Sequence, residues 1–206
     1  MKTQNQTMLS ENTLTSRPTD IIAGFPVRPG FFELNGATPL SNGVNFTAHT
    51  RHGTSCELLL FHSGEEEPFA VLPFPNACRI GDVYSMVVMG LDIEDLEYGY
   101  RIDGPYEPEK GHIFDKTKVL LDPYAKAVAG QREWGQQKIG SYHARVVRDS
   151  FDWEDMPQST RKISDLIIYE LHVRDFTHHP SSGVQHRGTF SGLMEKIPYL
   201  KELGIN

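Results

Sequence analysis

The stretch Asp165–Asn206, DLIIYELHVRDFTHHPSSGVQHRGTFSGLMEKIPYLKELGIN, decides the fold class of this chain. Residues 166–173 (LIIYELHV) are mostly apolar or β-branched, a pattern that predicts a strand buried on both faces. Apolar side chains then recur near helical spacing at Leu193, Ile197, Leu200 and Leu203. Ser191 is a candidate N-cap of this helix, and Gly204 is a candidate left-handed C-cap residue. A buried strand, a loop and an amphipathic helix predict the first βα unit of a larger parallel sheet.

This βα unit is expected to be only the beginning of a domain. One helix cannot cover both faces of a doubly buried strand, nor can it pair the two edges of that strand. We therefore expect the chain to be the N-terminal part of a longer protein. Pro198 lies inside the predicted helix and predicts a kink there, because proline lacks the amide N–H and clashes with the preceding turn.

Upstream, from Gly24 onward, short apolar segments alternate with turn residues in the way that is typical of an all-β sandwich. In one segment, alternation predicts that Val44, Phe46 and Ala48 face the core and that Asn45, Thr47 and His49 face solvent. Further strands are predicted at residues 57–61, 69–72, 83–89 and 96–102. The acidic run Glu65, Glu66 and Glu67 predicts a solvated turn, since it lacks the ligand spacing of a calcium loop.

Two long blocks resemble one enzyme family. Residues 169–177 (YELHVRDFT) and 188–206 (GTFSGLMEKIPYLKELGIN) resemble the start of the catalytic (β/α)8 barrel in the isoamylase and glycogen-debranching branch of the α-amylase superfamily, glycoside hydrolase family 13. Residues 98–128 (YGYRIDGPYEPEKGHIFDKTKVLLDPYAKAV) resemble the end of the glycogen-binding-type sandwich that precedes this barrel. One conservative departure is Val83-Tyr84, where the family pattern leads us to expect a tryptophan.

The resemblance implies an all-β immunoglobulin-like sandwich followed by the first βα unit of a truncated (β/α)8 TIM barrel. The domains then divide as a flexible segment 1–22, a sandwich of the carbohydrate-binding module 48 type at 23–130, a connector at 131–163 and the barrel start at 164–206. Within residues 98–128, Leu120, Leu121 and Tyr124 are expected to be buried contacts that seat the sandwich on the next domain.

The resemblance also implies a function, namely hydrolysis of α-1,6-glucosidic branch linkages by a retaining mechanism. The implied Asp nucleophile, Glu acid/base and third Asp lie beyond Asn206, so no catalytic residue is expected in this chain. The expected partner is a branched α-glucan, the expected cofactor is none, and the oligomeric state is left open. Alternatives are a glucan branching enzyme, a pullulanase or a trehalose-forming relative, or, for this chain alone, a glycan-binding module without catalysis.

Few residues are candidates for chemistry or binding. Trp134 and Trp153 could stack on a pyranose ring, although large aromatics in connectors more often wedge domains together. Glu170 and Asp175 are excluded as a catalytic pair, because five strand residues would hold them ~16 Å apart, whereas the chemistry needs roughly 5 to 9.5 Å. Glu170 is instead expected to form a buried link to Arg174 or to the backbone. Four histidines without an HExxH motif predict no metal site; they are His172, His178, His179 and His186.

Composition excludes several classes of partner. The formal net charge is −7, with 20 basic against 27 acidic residues and no basic cluster, so nucleic acid is not an expected partner. The N-terminus lacks the apolar region of a signal peptide, and no apolar run approaches the ~20 residues that span a bilayer, which predicts a cytoplasmic protein without membrane contact. Cys56 and Cys78 could pair, but the spacing favours two free buried thiols.

Overall fold

The computed structural model describes residues 17–130, 142–148, 152 and 160–206. It divides into two compact units, of which the first ends at residue 150 and the second begins at residue 151. No helix in these described ranges is long and apolar enough to cross a membrane.

The first unit is built from strands. Their bounds are β1 Asp20–Ile22, β2 Phe25–Pro29, β3 Gly36–Leu40, β4 Gly43–His49, β5 Ser55–His62, β6 Ala70–Pro73, β7 Arg79–Ile80, β8 Val83–Met89, β9 Leu96–Asp103, β10 Tyr106–Glu107, β11 His112–Ile113, β12 Ala127–Ala129 and β13 His143–Arg145. Short 3₁₀ turns lie at Asn76–Cys78 and Pro108–Lys110.

Two antiparallel sheets enclose the core. The first sheet has the order β1-β2-β8-β4-β3, with β7 paired to β8, and the second has the order β12-β13-β9-β5-β6. The strands β10 and β11 form a separate hairpin. In the second sheet, Leu60 lies opposite Tyr98 and also opposite Ala70, so the register places the inward side chains of three strands in one row. The predicted all-β sandwich is confirmed.

The core consists of the side chains that alternate inward from both sheets. Its largest fully buried members include Phe46, Met86 and Val88 from the first sheet and Leu58, Leu60, Leu72 and Tyr98 from the second. The Phe46 and Tyr98 rings meet edge to face at 5.1 Å across the two sheets. Burying each such side chain stabilises the fold by about 1.5–3 kcal/mol. Cys56 and Cys78 are free and buried, as the sequence predicted.

The solvent-facing prediction for β4 is wrong at two of three positions. His49 is exposed, but Asn45 and Thr47 are buried. Residues 30–34 cross the outer face of the sheet there, and Asn45 Oδ1 accepts a 2.8 Å hydrogen bond from the Phe31 amide. The Thr47 and Ser85 hydroxyls meet at 2.7 Å. These polar side chains are buried because a loop covers them and satisfies their hydrogen bonds.

The predicted connector, residues 131–163, contains part of the sandwich. Strand β13 pairs with β9 through Ala144 opposite Tyr98, and Ala144 is 0% exposed. Strand β1 likewise lies inside the segment 1–22 that was expected to be flexible. Both corrections have one cause, since a three-residue strand carries too short a pattern to stand out from polar neighbours.

The second unit is described by short helices, α1 Val173–His178, α2 Phe190–Glu195 and α3 Ile197–Glu202, with 3₁₀ turns at Ile163–Asp165 and Pro180–Ser182. The predicted buried strand at 166–173 is wrong for this chain. Residues 166–172 have no regular structure, and Ile168 is 82% exposed. The described residues offer no neighbouring strand to pair with this segment, and a lone strand leaves its backbone unpaired. The described residues therefore do not show the first βα unit of a barrel.

The predicted amphipathic helix is present as two pieces. Thr189, rather than Ser191, is the N-cap of α2, and its hydroxyl accepts a hydrogen bond from the Gly192 amide. The helix breaks at Lys196, and Pro198 occupies the first turn of α3, as its missing N–H requires. Gly204 has a φ of 87°, which confirms the predicted left-handed residue after the last helix.

Candidate functional site

The two tryptophans proposed to contact sugar, Trp134 and Trp153, lie outside the described residues. Their role therefore stays a prediction. The aromatic side chains that the structure does expose on the described part of the sandwich are Phe69, Tyr106 and Tyr124.

The carboxylates of the second unit do not have the arrangement that the sequence predicted. Glu170 is exposed, so the expected buried link to Arg174 or the backbone is wrong. Asp175 lies in the first turn of α1, where its Oδ2 is 3.2 Å from His172 Nδ1 and its Oδ1 is 3.6 Å from Arg174. The strand geometry used to separate Glu170 from Asp175 does not apply, because no strand forms there. These carboxylates give no basis for assigning a catalytic residue.

The four histidines of the second unit serve local structure. His186 Nδ1 lies 3.0 Å from Glu195 Oε1, and the same carboxylate accepts the Gln185 and His186 amides. These amide hydrogen bonds hold the pKa of Glu195 below its usual value. His179 caps the following 3₁₀ turn by accepting the Ser181 amide. In the part of the chain that the structure describes, no three His, Cys, Asp or Glu side chains come together as a metal site.

In the block 98–128, the buried anchor is a carboxylate rather than the predicted apolar side chains. Leu120, Leu121 and Tyr124 are exposed, whereas Asp122 is buried. Asp122 Oδ2 accepts a 2.8 Å hydrogen bond from the Tyr98 hydroxyl, and Oδ1 accepts one of 2.8 Å from the Tyr124 amide. Burial raises the pKa of Asp122, although both hydrogen bonds oppose that shift.

A polar and aromatic surface lies at one rim of the sandwich, where β5 ends, β6 begins and β9 begins. We call it the rim surface and define it by His62, Phe69 and Asp95. The His62 and Phe69 rings stack with their centroids 4.4 Å apart and an interplanar angle of 30°. The ring of Phe25, which belongs to β2 in the first sheet, has its centroid 6.2 Å from that of Phe69. His62 Nδ1 lies 2.8 Å from Asp95 Oδ2. Phe69 is 42% exposed.

Hydrogen bonds fix the Asp95 carboxylate at this rim. Its second oxygen, Oδ1, accepts a 3.1 Å hydrogen bond from the Ser63 amide. The bond to His62 and the Ser63 amide hold the pKa of Asp95 below its usual value. Asp95 is therefore an ionised, solvent-facing acceptor at neutral pH.

A buried pair supports the rim surface from beneath. Glu97 Oε1 accepts hydrogen bonds from the Gly64 amide at 3.0 Å and the Ser63 hydroxyl at 3.3 Å. Glu97 Oε2 lies 3.1 Å from His143 Nδ1, and both side chains are nearly inaccessible. The Phe61 ring stacks on His143 at 3.8 Å. The turn after β5 is thus held by two acidic side chains, Asp95 directly before β9 and Glu97 within β9.

Sequence reasoning missed the rim surface. It interpreted the turn only through Glu65, Glu66 and Glu67, which the structure confirms as exposed. The available signal was a phenylalanine directly after a polar turn, before the inward-facing Ala70. Its partners His62 and Asp95 are 33 residues apart and meet only through the pairing of β5 with β9.

Comparison with known proteins gives one consistent picture. Residues 35–125 match the family model of carbohydrate-binding module 48 (isoamylase N-terminal domain). Isoamylase 1, chloroplastic, of Arabidopsis thaliana is 37% identical over 182 residues, covering 83% of this chain and 23% of the relative. The glycogen debranching enzyme of Salmonella typhi is 35% identical over 187 residues, covering 83% of this chain and 28% of the relative. The chain spans about a quarter of the length of these curated relatives.

Solved structures agree at the level of the fold. The pullulanase of Paenibacillus barengoltzii in complex with maltohexaose and α-cyclodextrin aligns with a TM-score of 0.62 at 23% identity, over 84% of this chain and 26% of that chain. The pneumococcal virulence factor SpuA, described as glycogen-degrading and multi-modular, aligns with a TM-score of 0.62 at 22% identity, over 86% of this chain and 19% of that chain.

Proposed function

Because residues 35–125 belong to the carbohydrate-binding module 48 (isoamylase N-terminal domain) family and the chain is homologous to isoamylases and glycogen debranching enzymes, we propose that it is the N-terminal part of a debranching glycoside hydrolase. The complete protein hydrolyses α-1,6-glucosidic branch linkages in a branched α-glucan. The reaction is a retaining double displacement, which uses one carboxylate as nucleophile and one carboxylic acid as proton donor. Both carboxyl groups lie beyond the residues of this chain.

The observation that carries this proposal is the extent of the similarity. Identity of 35–37% extends over 83–90% of this chain to isoamylases and debranching enzymes, well beyond the 91 residues of the module (35–125). The second unit, which carries the block 188–206, is therefore also related to these enzymes rather than only the sandwich.

The sandwich contributes glucan binding in this proposal. Its family is a carbohydrate-binding module, and a neutral polymer of glucose suits a chain with a net charge of −7 better than an anionic polymer does. Trp134 and Trp153 remain candidates for sugar stacking. A cytoplasmic location remains part of the proposal, and the plant relatives are named as chloroplastic.

The test is an assay of the complete protein on amylopectin and glycogen. We expect new reducing ends together with a rise in iodine colour, because debranching releases linear chains. Pullulan serves as the comparison substrate, and a faster reaction on pullulan than on glycogen assigns the protein to the pullulanase alternative. New branches without reducing ends contradict hydrolysis and assign it to the branching-enzyme alternative. The 206-residue chain alone is expected to release no reducing ends.

A further inference from the structure

The rim surface exposes an aromatic ring that a neighbouring ring holds in place. Phe69 directly precedes the inward-facing Ala70, so strand alternation turns its ring outward, and 42% of Phe69 is in contact with solvent. An exposed phenylalanine forfeits much of the roughly 1.5–3 kcal/mol that its full burial contributes. An exposed ring that is fixed by neighbours on two sides is a feature of binding surfaces.

The side chains around Phe69 are those that recognise a sugar. A pyranose presents a face of C–H groups, which packs on an aromatic ring, and a rim of hydroxyl groups, which donate hydrogen bonds. Asp95 supplies two ionised carboxylate oxygens beside the stacked rings, and each of them accepts one hydrogen bond from the described residues. A carboxylate can accept further bonds, so it has capacity for ligand hydroxyls.

The charge of the rim surface defines the ligand class further. Glu65, Glu66 and Glu67 are exposed on the turn that joins His62 to Phe69. Together with Asp95 they give this part of the sandwich an excess of acidic side chains, which disfavours phosphates and carboxylates as ligands. A neutral oligosaccharide carries no such penalty.

The support beneath the rim keeps these groups in place before a ligand arrives. Glu97 accepts hydrogen bonds from Ser63 and Gly64, the two residues that follow His62, and His143 lies against Glu97; both supporting side chains are almost fully buried. A surface that is already ordered loses less entropy when it binds. This support distinguishes the rim surface from an exposed aromatic side chain on a free loop.

We propose that the rim surface of His62, Phe69 and Asp95 is a contact site for a neutral α-glucan chain, with one glucose ring stacked on Phe69 and its hydroxyls bonded to Asp95. This inference rests on the proposed function, because it takes the ligand class from it. It adds a location within the sandwich, remote in sequence from Trp134 and Trp153.

The experiment is a titration of the 206-residue chain with maltoheptaose, followed by calorimetry and by ¹H–¹⁵N chemical shifts. Three variants are compared, namely Phe69→Ala, Asp95→Asn and, as the matched control, Tyr106→Ala. Tyr106 is a more exposed aromatic, at 71%, on the separate β10–β11 hairpin. We expect Phe69→Ala to weaken binding about tenfold, Asp95→Asn to weaken it by a smaller factor, and the control to leave it unchanged.

The outcomes separate this inference from the proposed function. If the unaltered chain binds maltoheptaose and both rim variants bind equally well, the rim surface is not the site, while the proposed function stands. If the unaltered chain shows no binding, glucan binding by the sandwich and the rim site both fall. Because Asp95 is exposed, Asp95→Asn tests the site even if Phe69→Ala proves unstable.

Discussion

Two tyrosines of β9 show how one hydrogen bond decides what a buried side chain contributes to the stability of the fold. Tyr98 and Tyr100 both point into the core and are both about 98–99% buried. The Tyr98 hydroxyl donates to Asp122 at 2.8 Å, whereas the Tyr100 hydroxyl has no hydrogen-bond partner among the described residues. A buried hydroxyl without a partner costs free energy, and a buried carboxylate that loses its donor costs more.

We therefore predict that the same chemical change affects stability differently at the two positions. Tyr98→Phe should lower the free energy of unfolding by about 1–3 kcal/mol, because Asp122 stays buried with one donor fewer. Tyr100→Phe should leave stability unchanged or raise it slightly. Urea unfolding followed by fluorescence measures both. An equal loss of stability in the two variants would contradict the described hydrogen bonding.

The buried Asp122 carboxyl group also leads to a prediction about how stability depends on pH. Burial raises the pKa of Asp122 above its ordinary value of 3.8, so the folded state holds this proton more tightly than the unfolded state does. The stability that this difference contributes is complete below pH ~3.8 and is lost as pH rises through the folded pKa. The variant Asp122→Asn lacks this loss, so its stability relative to the unaltered chain should increase between pH ~4 and pH ~7.

Asp115 provides the control for that measurement. The Thr117 hydroxyl and then the Thr117 amide lower its pKa, so its stabilising contribution is present above pH ~3.8 and is lost as pH falls below it. Asp115→Asn should therefore change the acid limb below pH ~4 and leave the interval from pH ~4 to pH ~7 unaffected. If the two variants had the same pH profile, burial of Asp122 would not be the cause.

Among the elements, the sequence predicted the strands whose apolar pattern repeats over several residues. The strands β4, β5, β8 and β9 each carry seven or eight residues whose alternating or continuous apolar pattern extends over most of their length, and all four were predicted. Short strands such as β13 were not found. The outward side chains Asn45 and Thr47 could not be predicted as buried, because the loop that covers them is specified by residues 11–16 positions away.

The segment 166–173 shows the converse error, in which a strong pattern predicted an element that this chain does not form. Its apolar content is suited to a strand between two others, and those neighbours are missing from the described residues. Its backbone bonds to a side chain instead of to a neighbouring strand, since the Ile167 amide donates to the Asn206 side chain 39 residues away. The pattern therefore describes the environment for which the segment is suited rather than its state here.

Hydrogen exchange should reveal this difference between elements. We expect amides of residues 166–172 to exchange quickly, because the segment is exposed and has no ladder of backbone hydrogen bonds. Amides in the central strands β5 and β9 should be protected by many orders of magnitude, since these strands have partners on both sides. Mass spectrometry of peptides from the intact chain measures both in one experiment. Protection of 166–172 equal to that of β5 would show that a strand does form.

For the molecule as a whole, the most consequential difference between sequence and structure is the residue at which the sandwich ends. The sequence predicted that the sandwich ends at residue 130. The structure extends its second sheet to His143–Arg145, with Ala144 and Val146 in the core. The candidate rim site depends on the same extension, because His143 lies against Glu97 beneath it. Neither the site nor the limit could be predicted without the pairing of β13 with β9.

This limit leads to a test with two shortened chains. Residues 17–148 contain every described strand of both sheets, whereas residues 17–130 lack β13. Loss of β13 uncovers one edge of β9, removes Ala144 and Val146 from the core and leaves Glu97 buried without His143. Together these losses should lower the free energy of unfolding by about 3–5 kcal/mol. Thermal and urea unfolding of both chains measure the difference.

A further variant separates the contribution of the Glu97–His143 contact from that of the strand. In residues 17–148, His143→Ala keeps the backbone pairing of β13 but removes the partner of Glu97, so its stability should lie between those of the two shortened chains. The double variant His143→Ala with Glu97→Gln should recover part of the loss, because it no longer buries an unpaired carboxylate. If residues 17–130 proved as stable as residues 17–148, β13 would be an attachment to the sandwich rather than a part of it, and the domain would end where the sequence placed it.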